Sequence, residues 1–267
     1  MEKRKILIYS NDTDVSKKTA ELLAKKLDQR GFAPTEKFGG DEELIVCIGG
    51  DGAFLEAIHK FEFPHIPFIG INTGHLGFFQ EIMPEQLDEF IFNYTQGKYQ
   101  LQPMSTVKGT IRLANGETRE IKGLNEIVIK SSDSRSIHLN ISIGGSFIER
   151  FSGDGILVST AAGSTGYNYS LSGAIVDPRL KMLQVTPIAP MNTTAYRCFT
   201  SSIMLPSELP LAVIPENQNP LIKIAVDGEE MLLRDVELID IGFSATFVNL
   251  LRFEGYDFWS KVKAKFL

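Results

Sequence analysis

The four residues Gly49–Gly52 (GGDG) combine the glycines of a phosphate-binding turn with one carboxylate. They stand between a short apolar run, Leu44–Ile48, and a segment with helical spacing, so we expect them at a helix N-terminus. Glycines let the backbone approach a phosphate closely, and the N–H groups and dipole of a helix N-terminus attract anions. Since the carboxylate of Asp51 repels phosphate, it fits a general base for an attacking hydroxyl group or a magnesium ligand. A tight turn in which Asp51 caps the helix is the alternative.

A second glycine-containing loop, Asn72–Phe78 (NTGHLGF), follows another apolar run, Phe68–Ile71. Parallel sheets bind ligands at the carboxyl ends of their strands, so this loop is a candidate wall of the same cleft. A loop with special conformational needs is the alternative. His75 is a candidate base, but a structural histidine is the favoured interpretation.

Two segments of the second half have residue types suited to a nucleotide. Asn125 and Glu126 can offer directional acceptors and donors to ribose hydroxyls and an adenine edge, although such a pair is also common on ordinary surfaces. The segment Gly153–Asp177 is rich in glycine, small side chains and hydroxyl groups, with Tyr167 as a stacking face. This segment is either a nucleotide cradle or a small-residue turn that packs two layers.

The elements that must position these residues alternate between strands and helices up to about residue 100. Apolar runs predict buried strands, and apolar residues at helical spacing predict helices. This alternation is typical of an α/β domain with a parallel sheet covered on both faces. The predicted strands are Ile6–Tyr9, Leu44–Ile48 and Phe68–Ile71, and the predicted helices are Val15–Leu27, Ala53–Phe61 and Pro84–Tyr94.

Beyond residue 100 the pattern becomes that of an all-β sandwich, with short strands separated by glycine, proline and asparagine turns. Asn115–Gly116 and Asp227–Gly228 are strong hairpin signals. The tail Phe258–Phe266 is amphipathic and is expected to return as a helix to the first domain. The predicted domains are therefore 1–100 with 254–267, and 101–253, with a ligand cleft between them. The predicted strands are Val107–Leu113, Leu124–Lys130, His138–Ile143, Gly155–Thr160, Leu211–Ile214, Leu221–Val226, Val236–Phe243 and Thr246–Phe253.

Charge and composition exclude several classes of protein. The 267 residues include 27 Lys and Arg against 33 Asp and Glu, a net charge of −6 that argues against nucleic-acid binding. Cys47 and Cys198 form no CxxC pair, which argues against a disulfide framework and a zinc site. No apolar stretch is long enough for a membrane span or a signal peptide, so we expect a cytoplasmic protein without a membrane partner.

Taken together, the motifs resemble those of NAD kinases, the ATP- or polyphosphate-dependent enzymes that make NADP. The matching segments are Gly49–Gly52, Asn72–Phe78, Leu124–Glu126 and Asp154–Tyr167, in an order that covers nearly the whole chain. GGDG alone is weak, because phosphofructokinases and lipid kinases also contain it, but its combination with NTGHLGF and NE is specific. The resemblance implies a Rossmann-like, phosphofructokinase-like α/β domain followed by an all-β sandwich that binds NAD.

The resemblance also implies roles for individual residues. Asp51 would deprotonate the 2′-hydroxyl of the adenosine ribose of NAD, which attacks the terminal phosphoryl group of ATP. Mg²⁺ would be bound through the ATP phosphates rather than by a protein side chain. The chain would form a homodimer or homotetramer. The nucleotide-binding residues would be Gly49, Gly50, Gly52, Asn72, Asn125, Glu126, Asp154, Ala162, Thr165, Gly166, Tyr167, Asn168, Tyr169, Ser170 and Ala189.

The chain departs from the family pattern at several positions. Ala161, Ala162 and Gly166 replace a proline, a threonine and an alanine of the usual loop, and Ser152 stands where many relatives have arginine. Ala53 follows GGDG, where the family usually has threonine or serine. Two other functions therefore remain open. One is a lipid kinase of the diacylglycerol kinase type, against which NTGHLGF argues, and the other is a dinucleotide sensor without catalysis.

Overall fold

The computed structural model describes residues 3–133, 135–194, 197–216 and 221–266. These residues form two compact units, one that runs to Met104 and resumes at Phe247, and one over Ser105–Thr246. Whether each unit is a domain with the predicted limits stays a prediction. Elements are numbered below in chain order, and two long strands, β6 (Tyr99–Leu113) and β17 (Val236–Phe253), contribute residues to both units.

The first unit is an α/β structure built on a parallel sheet. Its strands run in the order β17, β4, β3, β1, β2, with β5 also beside β4, and every described pairing among them is parallel. Thr13 caps the first helix by accepting a hydrogen bond from the N–H of Ser16. The elements are β1 (Lys5–Ser10), α1 (Asp14–Gln29), β2 (Ala33–Thr35), β3 (Leu44–Gly49), α2 (Asp51–Lys60), β4 (Phe68–Asn72), β5 (Gln80–Ile82), α3 (Leu87–Thr95) and α5 (Phe258–Phe266).

Burial explains why the apolar runs of this unit form its central strands. All six residues of β3 and all five of β4 are buried, as expected for parallel strands covered on both faces. Leu23 and Leu27 of α1 join the same core. The register pairs Gly49 at the end of β3 with Asn72 at the end of β4, so the GGDG turn and the NTGHLGF loop begin side by side.

The second unit contains two antiparallel sheets around one apolar core. One has the order β13, β12, β11, β8, β15, β16. The other has the order β10, β9, β14, β17, and β6 pairs both with β17 and with β7. The shared core joins Ile129 and Ile156 of the first sheet to Leu139 and Val213 of the second. The elements are β7 (Thr118–Gly123), β8 (Glu126–Ser131), β9 (Ile137–Ile143), β10 (Ser146–Gly153), β11 (Gly155–Thr160), α4 (Tyr167–Ser170), β12 (Met182–Ile188), β13 (Ile203–Pro206), β14 (Leu211–Pro215), β15 (Leu221–Val226) and β16 (Glu229–Arg234).

The predicted fold class, α/β followed by an all-β sandwich, is confirmed, but several element predictions were wrong. Residues 236–253 form one continuous strand, not two. Helix α2 begins at Asp51 rather than at Ala53, and Pro84–Gln86 is a separate 3₁₀ turn before α3. The strand β12 was missed because it contains Pro187, which usually excludes a central strand. It is tolerated because β13 pairs only with Met182–Val185, so the ring lies beyond that pairing.

Strand β10 was missed for a different reason. Two of its three apolar side chains, Phe147 and Ile148, are consecutive and exposed, and only Phe151 is buried, so the strand lacks the alternation that signals a half-buried strand. In the part of the chain that the structure describes, no helix is both long enough and apolar enough to cross a membrane.

Candidate active site

The carboxyl ends of β3 and β4 hold the two glycine-containing loops of the first unit together. The N–H of Thr73 donates to the carbonyl of Gly49 at 3.4 Å. The Asn72 side chain, which is almost fully buried, accepts a hydrogen bond from the N–H of Gly74 through its Oδ1, at 3.0 Å. Asn72 therefore shapes the start of the NTGHLGF loop from inside the unit.

The glycines of GGDG serve two different purposes. Gly49 has a φ of +153°, and a Cβ there would lie 2.6 Å from the Cβ of Ala53, so the fold itself requires glycine at this position. A Cβ at Gly50 or Gly52 would meet no atom within 4 Å. Internal packing does not explain these two glycines, whereas a ligand that approaches the backbone would.

Asp51 is the first residue of α2, and its carboxylate is held by the loop rather than by its own helix. Its Oδ2 accepts a hydrogen bond from the N–H of Phe78 at 3.0 Å, and its Oδ1 accepts one from the N–H of Phe79 at 3.1 Å. The N-cap of α2 is Gly50, with no side-chain cap bond, so the helix-capping alternative is wrong. Since a carboxylate has about four acceptor positions, a substrate hydroxyl can still bind. The side chain is 28% exposed and hence open to one.

A lysine and a glutamine lie beside this carboxylate, and sequence reasoning missed both. The Nζ of Lys265 is 3.9 Å from Asp51 Oδ2. A Cβ at Gly77 would lie 2.4 Å from Asp51 Oδ1 and 2.1 Å from Gln80 Oε1, so Gly77 leaves room for both side chains. The Gln80 amide is buried, with no hydrogen-bond partner among the described residues. His75 is exposed in the loop, and the carboxylate is bound by backbone groups instead.

In the second unit, Asp227 holds Asn125 and Glu126 in place at the start of β8. The carboxylate of Asp227 accepts hydrogen bonds from the N–H groups of Leu124, Asn125 and Glu126 at 2.6–3.0 Å. Asp227 adopts a left-handed conformation, φ +49°, in the hairpin turn that the sequence predicts. The sequence predicts the turn at Asp227–Gly228. It does not predict that Asp227 binds backbone groups about a hundred residues earlier in the chain.

Two oxygens at this strand start are buried without a partner among the described residues: Oδ1 of Asn125 and Oε2 of Glu126. Burial, with a smaller contribution from the charge of Asp227, raises the pKa of Glu126 to about 8. Glu126 is therefore neutral at pH 7. Buried polar groups without partners cost free energy, and a neutral carboxyl group can donate as well as accept, so this pair is suited to a ligand that brings both donor and acceptor groups.

Glu126, Asp154 and Tyr167 line one cavity of about 730 Å³, large enough for a nucleotide-sized ligand. The Lys130 ammonium is 3.5 Å from the Tyr167 hydroxyl. The cavity is also lined by Arg135 and by other polar and apolar groups. Three of the residues singled out from the sequence thus lie around one cavity.

The loop after β11 packs directly on Asn125 and Glu126. A Cβ at Gly163 would lie 2.2 Å from the Asn125 carbonyl oxygen, and one at Gly166 would lie 3.5 Å from Glu126 Oε2. Asn168 is fully buried and binds within the loop: its Nδ2 donates to the carbonyl of Ser164, and its Oδ1 accepts from Thr186. In the structure, Asn168 therefore holds the loop together.

The remaining predicted residues occupy more open positions. Ala162 and Thr165 are half-buried, whereas Tyr169, Ser170 and Ala189 are exposed. Ala189 has a φ of +44°, and its carbonyl would lie 2.8 Å from a Cβ at Gly153, next to Asp154. In the first unit, the structure places Gly49, Gly50, Asp51, Gly52 and Asn72 at the ends of β3 and β4 and the start of α2. In the second unit, it places Glu126, Asp154 and Tyr167 around one cavity, whose described lining does not include Asn125, Ala162, Thr165, Gly166, Asn168, Tyr169, Ser170 or Ala189.

The departures at Ser152 and Ala53 also have structural contexts. Ser152 is fully buried, and its N–H donates to the sulfur of Cys198. Arg150, two residues before Ser152, is bound by Glu216 through two hydrogen bonds of 2.5 and 2.7 Å. Among the described residues, no group of three or more His, Cys, Asp or Glu side chains could hold a metal ion.

Two family descriptions match most of the chain. Residues 7–99 match the ATP-NAD kinase N-terminal domain, and residues 124–245 match the ATP-NAD kinase C-terminal domain. The NAD kinase of Finegoldia magna is 40% identical over 266 residues, covering 98% of this chain and 97% of that relative. NAD kinase 1 of Listeria innocua is 36% identical over 230 residues, covering 85% of this chain and 86% of that relative.

Solved structures of more distant proteins share the fold. Yeast NADH kinase complexed with NADH superposes with a TM-score of 0.84 at 16% identity, covering 98% of this chain and 86% of the yeast chain. An NAD kinase from Archaeoglobus fulgidus in complex with ATP has a TM-score of 0.74 at 24% identity, covering 98% and 99% of the two chains. At these identities, the two structures are evidence for the fold alone.

Proposed function

Because the chain belongs to the NAD kinase family, we propose that Asp51 is the general base with which it phosphorylates NAD. The family descriptions and the relatives establish the ATP-dependent NAD kinase activity. One observation carries the role of Asp51. Its carboxylate is fixed by the N–H groups of Phe78 and Phe79 at the N-terminus of α2, between two glycines whose Cβ positions face open space.

The chemistry follows from a carboxylate placed next to phosphate-binding glycines. The 2′-hydroxyl oxygen of the adenosine ribose attacks the terminal phosphorus of ATP while its proton passes to Asp51. A new P–O bond forms, the bond from that phosphorus to the bridging oxygen breaks, and ADP leaves with the electron pair. The N–H groups at the start of α2 and in the glycine turn hold the phosphates in line.

NAD is bound by the residues around the second unit's cavity. Asn125 and Glu126 bind the adenosine, whose amino and hydroxyl groups can donate to the unpartnered Oδ1 of Asn125. Asp154 lies toward the nicotinamide end, and Tyr167 offers a ring for stacking. Ala162, Thr165, Gly166, Tyr169, Ser170 and Ala189 complete this proposed dinucleotide-binding set, with Asn168 holding their loop in shape from inside, and Gly49, Gly50, Gly52 and Asn72 serve the phosphates.

Mg²⁺ is part of the proposal through the phosphates of ATP. Mg²⁺ dehydrates reluctantly and keeps several waters, so the ATP phosphates and water would hold it rather than an all-protein cage. When bound, the ion neutralises charge on the transferred phosphoryl group. The carboxylate of Asp51 would be the side chain of the GGDG turn available to touch it.

The test of Asp51 is Asp51→Asn, which keeps the size of the side chain but removes the base. We expect NADP formation from NAD, ATP and Mg²⁺ to fall by about 10²–10⁴-fold. NAD binding, measured by calorimetry, should stay within about threefold, because the phosphorylation step rather than dinucleotide recognition needs this group. Asp14→Asn is the matched control, since Asp14 is also the first residue of a helix in this unit and is exposed.

If Asp51→Asn forms NADP at a near-wild-type rate, Asp51 is not the general base, and the assignment of NAD kinase activity to the chain still holds. The lipid-kinase and sensor alternatives are not supported by the comparisons, which agree on NAD kinases.

We further propose a cytoplasmic homodimer or homotetramer, which sedimentation equilibrium would distinguish from a monomer.

A further inference from the structure

The C-terminal helix α5 directs two lysines at the backbone of the NTGHLGF loop and of Gln80, the first residue of β5. The ammonium of Lys261 donates to the carbonyl oxygens of Phe78, at 3.3 Å, and of Gln80. The ammonium of Lys265 donates to the carbonyl of Leu76 at 2.9 Å. This loop segment, residues 76–80, therefore has cations on several of its carbonyl groups.

The same segment holds the proposed base. The carbonyl of Phe78 and the N–H of Phe79 belong to one peptide group. Lys261 binds its oxygen, and Asp51 Oδ1 accepts from its N–H. A cation on the oxygen of a peptide group polarises it and strengthens its N–H as a donor. Lys261 and Asp51 are thus connected through a single peptide unit.

We propose that Lys261 is a positioning residue for Asp51, which fixes and polarises the peptide group that orients the catalytic carboxylate. Lys265 supports the same loop segment and lies near Asp51 Oδ2, at 3.9 Å. This inference rests on the proposed role of Asp51. It assigns to the C-terminal helix a part in catalysis that its position at the end of the sequence does not indicate.

Other contacts keep α5 in place without the lysine charges, which makes the proposal testable. The Phe78 ring lies 5.8 Å from the ring of Phe258 and 5.7 Å from that of Phe266, so the two ends of the helix pack on the loop through aromatic groups. Removal of one ammonium should therefore leave the helix docked while the peptide group becomes less well held.

The surroundings of Lys261 give it a pH dependence. Burial and the positive charge of Arg252 lower the pKa of Lys261 to about 8, with a smaller opposing effect from the carboxylates of Glu81 and Asp51 and a smaller lowering from Lys265. Below that pH the ammonium is charged and holds the peptide group, and above it the charge is lost.

The decisive experiment compares Lys261→Arg, Lys261→Met and Lys263→Met in the full chain. Lys263 is the matched control because it lies on the same helix and is exposed. We expect Lys261→Met to lower kcat at pH 7 by about tenfold or more, with the KM for NAD nearly unchanged, because the base is misplaced while dinucleotide recognition is intact. Lys263→Met should match the wild type.

The pH profile separates positioning from a merely structural role. We expect the kcat of the wild type to fall above a pH of about 8, and that of Lys261→Arg to fall only at higher pH, because arginine stays charged. A Lys261→Met kcat within about twofold of the Lys263→Met control, or an unshifted profile for Lys261→Arg, would overturn the proposal. If Lys261→Met does not fold, the Lys261→Arg profile still decides. Asp51→Asn in the same series shows whether the base assignment itself has failed.

Discussion

At the scale of single residues, Glu126 is the side chain whose environment most changes its chemistry. It is an acid with a pKa raised to about 8 by burial and by Asp227. A group whose folded-state pKa lies above the unfolded value of about 4.3 holds its proton more tightly in the folded protein. Unfolding then releases that proton, so the free energy of unfolding falls as the pH rises between these two values.

We expect Glu126→Gln to remove this pH dependence, because glutamine has the shape of the neutral acid. In thermal or urea unfolding without ligands, the variant should become more stable relative to wild type as the pH rises from about 5 to 9. Since one unit of pKa shift corresponds to about 1.4 kcal/mol, the gain should reach a few kcal/mol at the upper end. The exposed Glu237→Gln is the control. Parallel stability curves for Glu126→Gln and wild type would show that Glu126 titrates normally.

At the scale of elements, the strand–turn–helix from β3 to α2 separates glycines needed by the fold from glycines available to a ligand. Ala53 lies so close to Gly49 that a Cβ added at Gly49 would be 2.6 Å from the alanine methyl group. A Cβ added at Gly50 would meet open space. Ala53, which stands where the family usually has threonine or serine, therefore packs against the GGDG turn that it follows.

The paired variants Gly49→Ala and Gly50→Ala test this distinction. We expect Gly49→Ala to lower the free energy of unfolding by about 2 kcal/mol, because of the contact with Ala53 and the positive φ. Gly50→Ala should stay within about 1 kcal/mol of wild type, yet raise the KM for ATP several-fold by intruding on the phosphates. Urea denaturation and steady-state kinetics give both numbers. An unchanged KM for ATP in Gly50→Ala would mean that this glycine does not face a phosphate.

At the scale of the whole molecule, the metal should be needed by the reaction but not by the fold. The described residues contain no cluster of three or more metal-binding side chains, and each unit has its own buried apolar cluster. We expect EDTA to leave the melting temperature of the ligand-free protein unchanged while abolishing NADP formation. Excess Mg²⁺ should restore the activity. A lower melting temperature in EDTA would instead indicate a structural metal site.

Contacts made across the whole molecule limit what local sequence patterns could predict. The strands β3 and β4 and the helix α1 followed from local periodicity, since a buried parallel strand is an unbroken apolar run and a surface helix repeats its apolar residues. The strands β10 and β12 could not be found this way. Their residues are acceptable only because of neighbours brought in by the fold, a short partner for β12 and an exposed edge for β10.

The sequence by itself determined the family, the fold class and the identity of the candidate base, because glycine turns, strand periodicity and Asp51 are encoded in contiguous residues. Only the tertiary structure decided what surrounds that base. The N–H groups of Phe78 and Phe79, the amide of Gln80 and the ammonium of Lys261 reach the region of Asp51 from a distant loop and the last helix. Hydrogen bonds and burial depend on distance in space, and residues far apart in the chain leave no local pattern that shows they will meet.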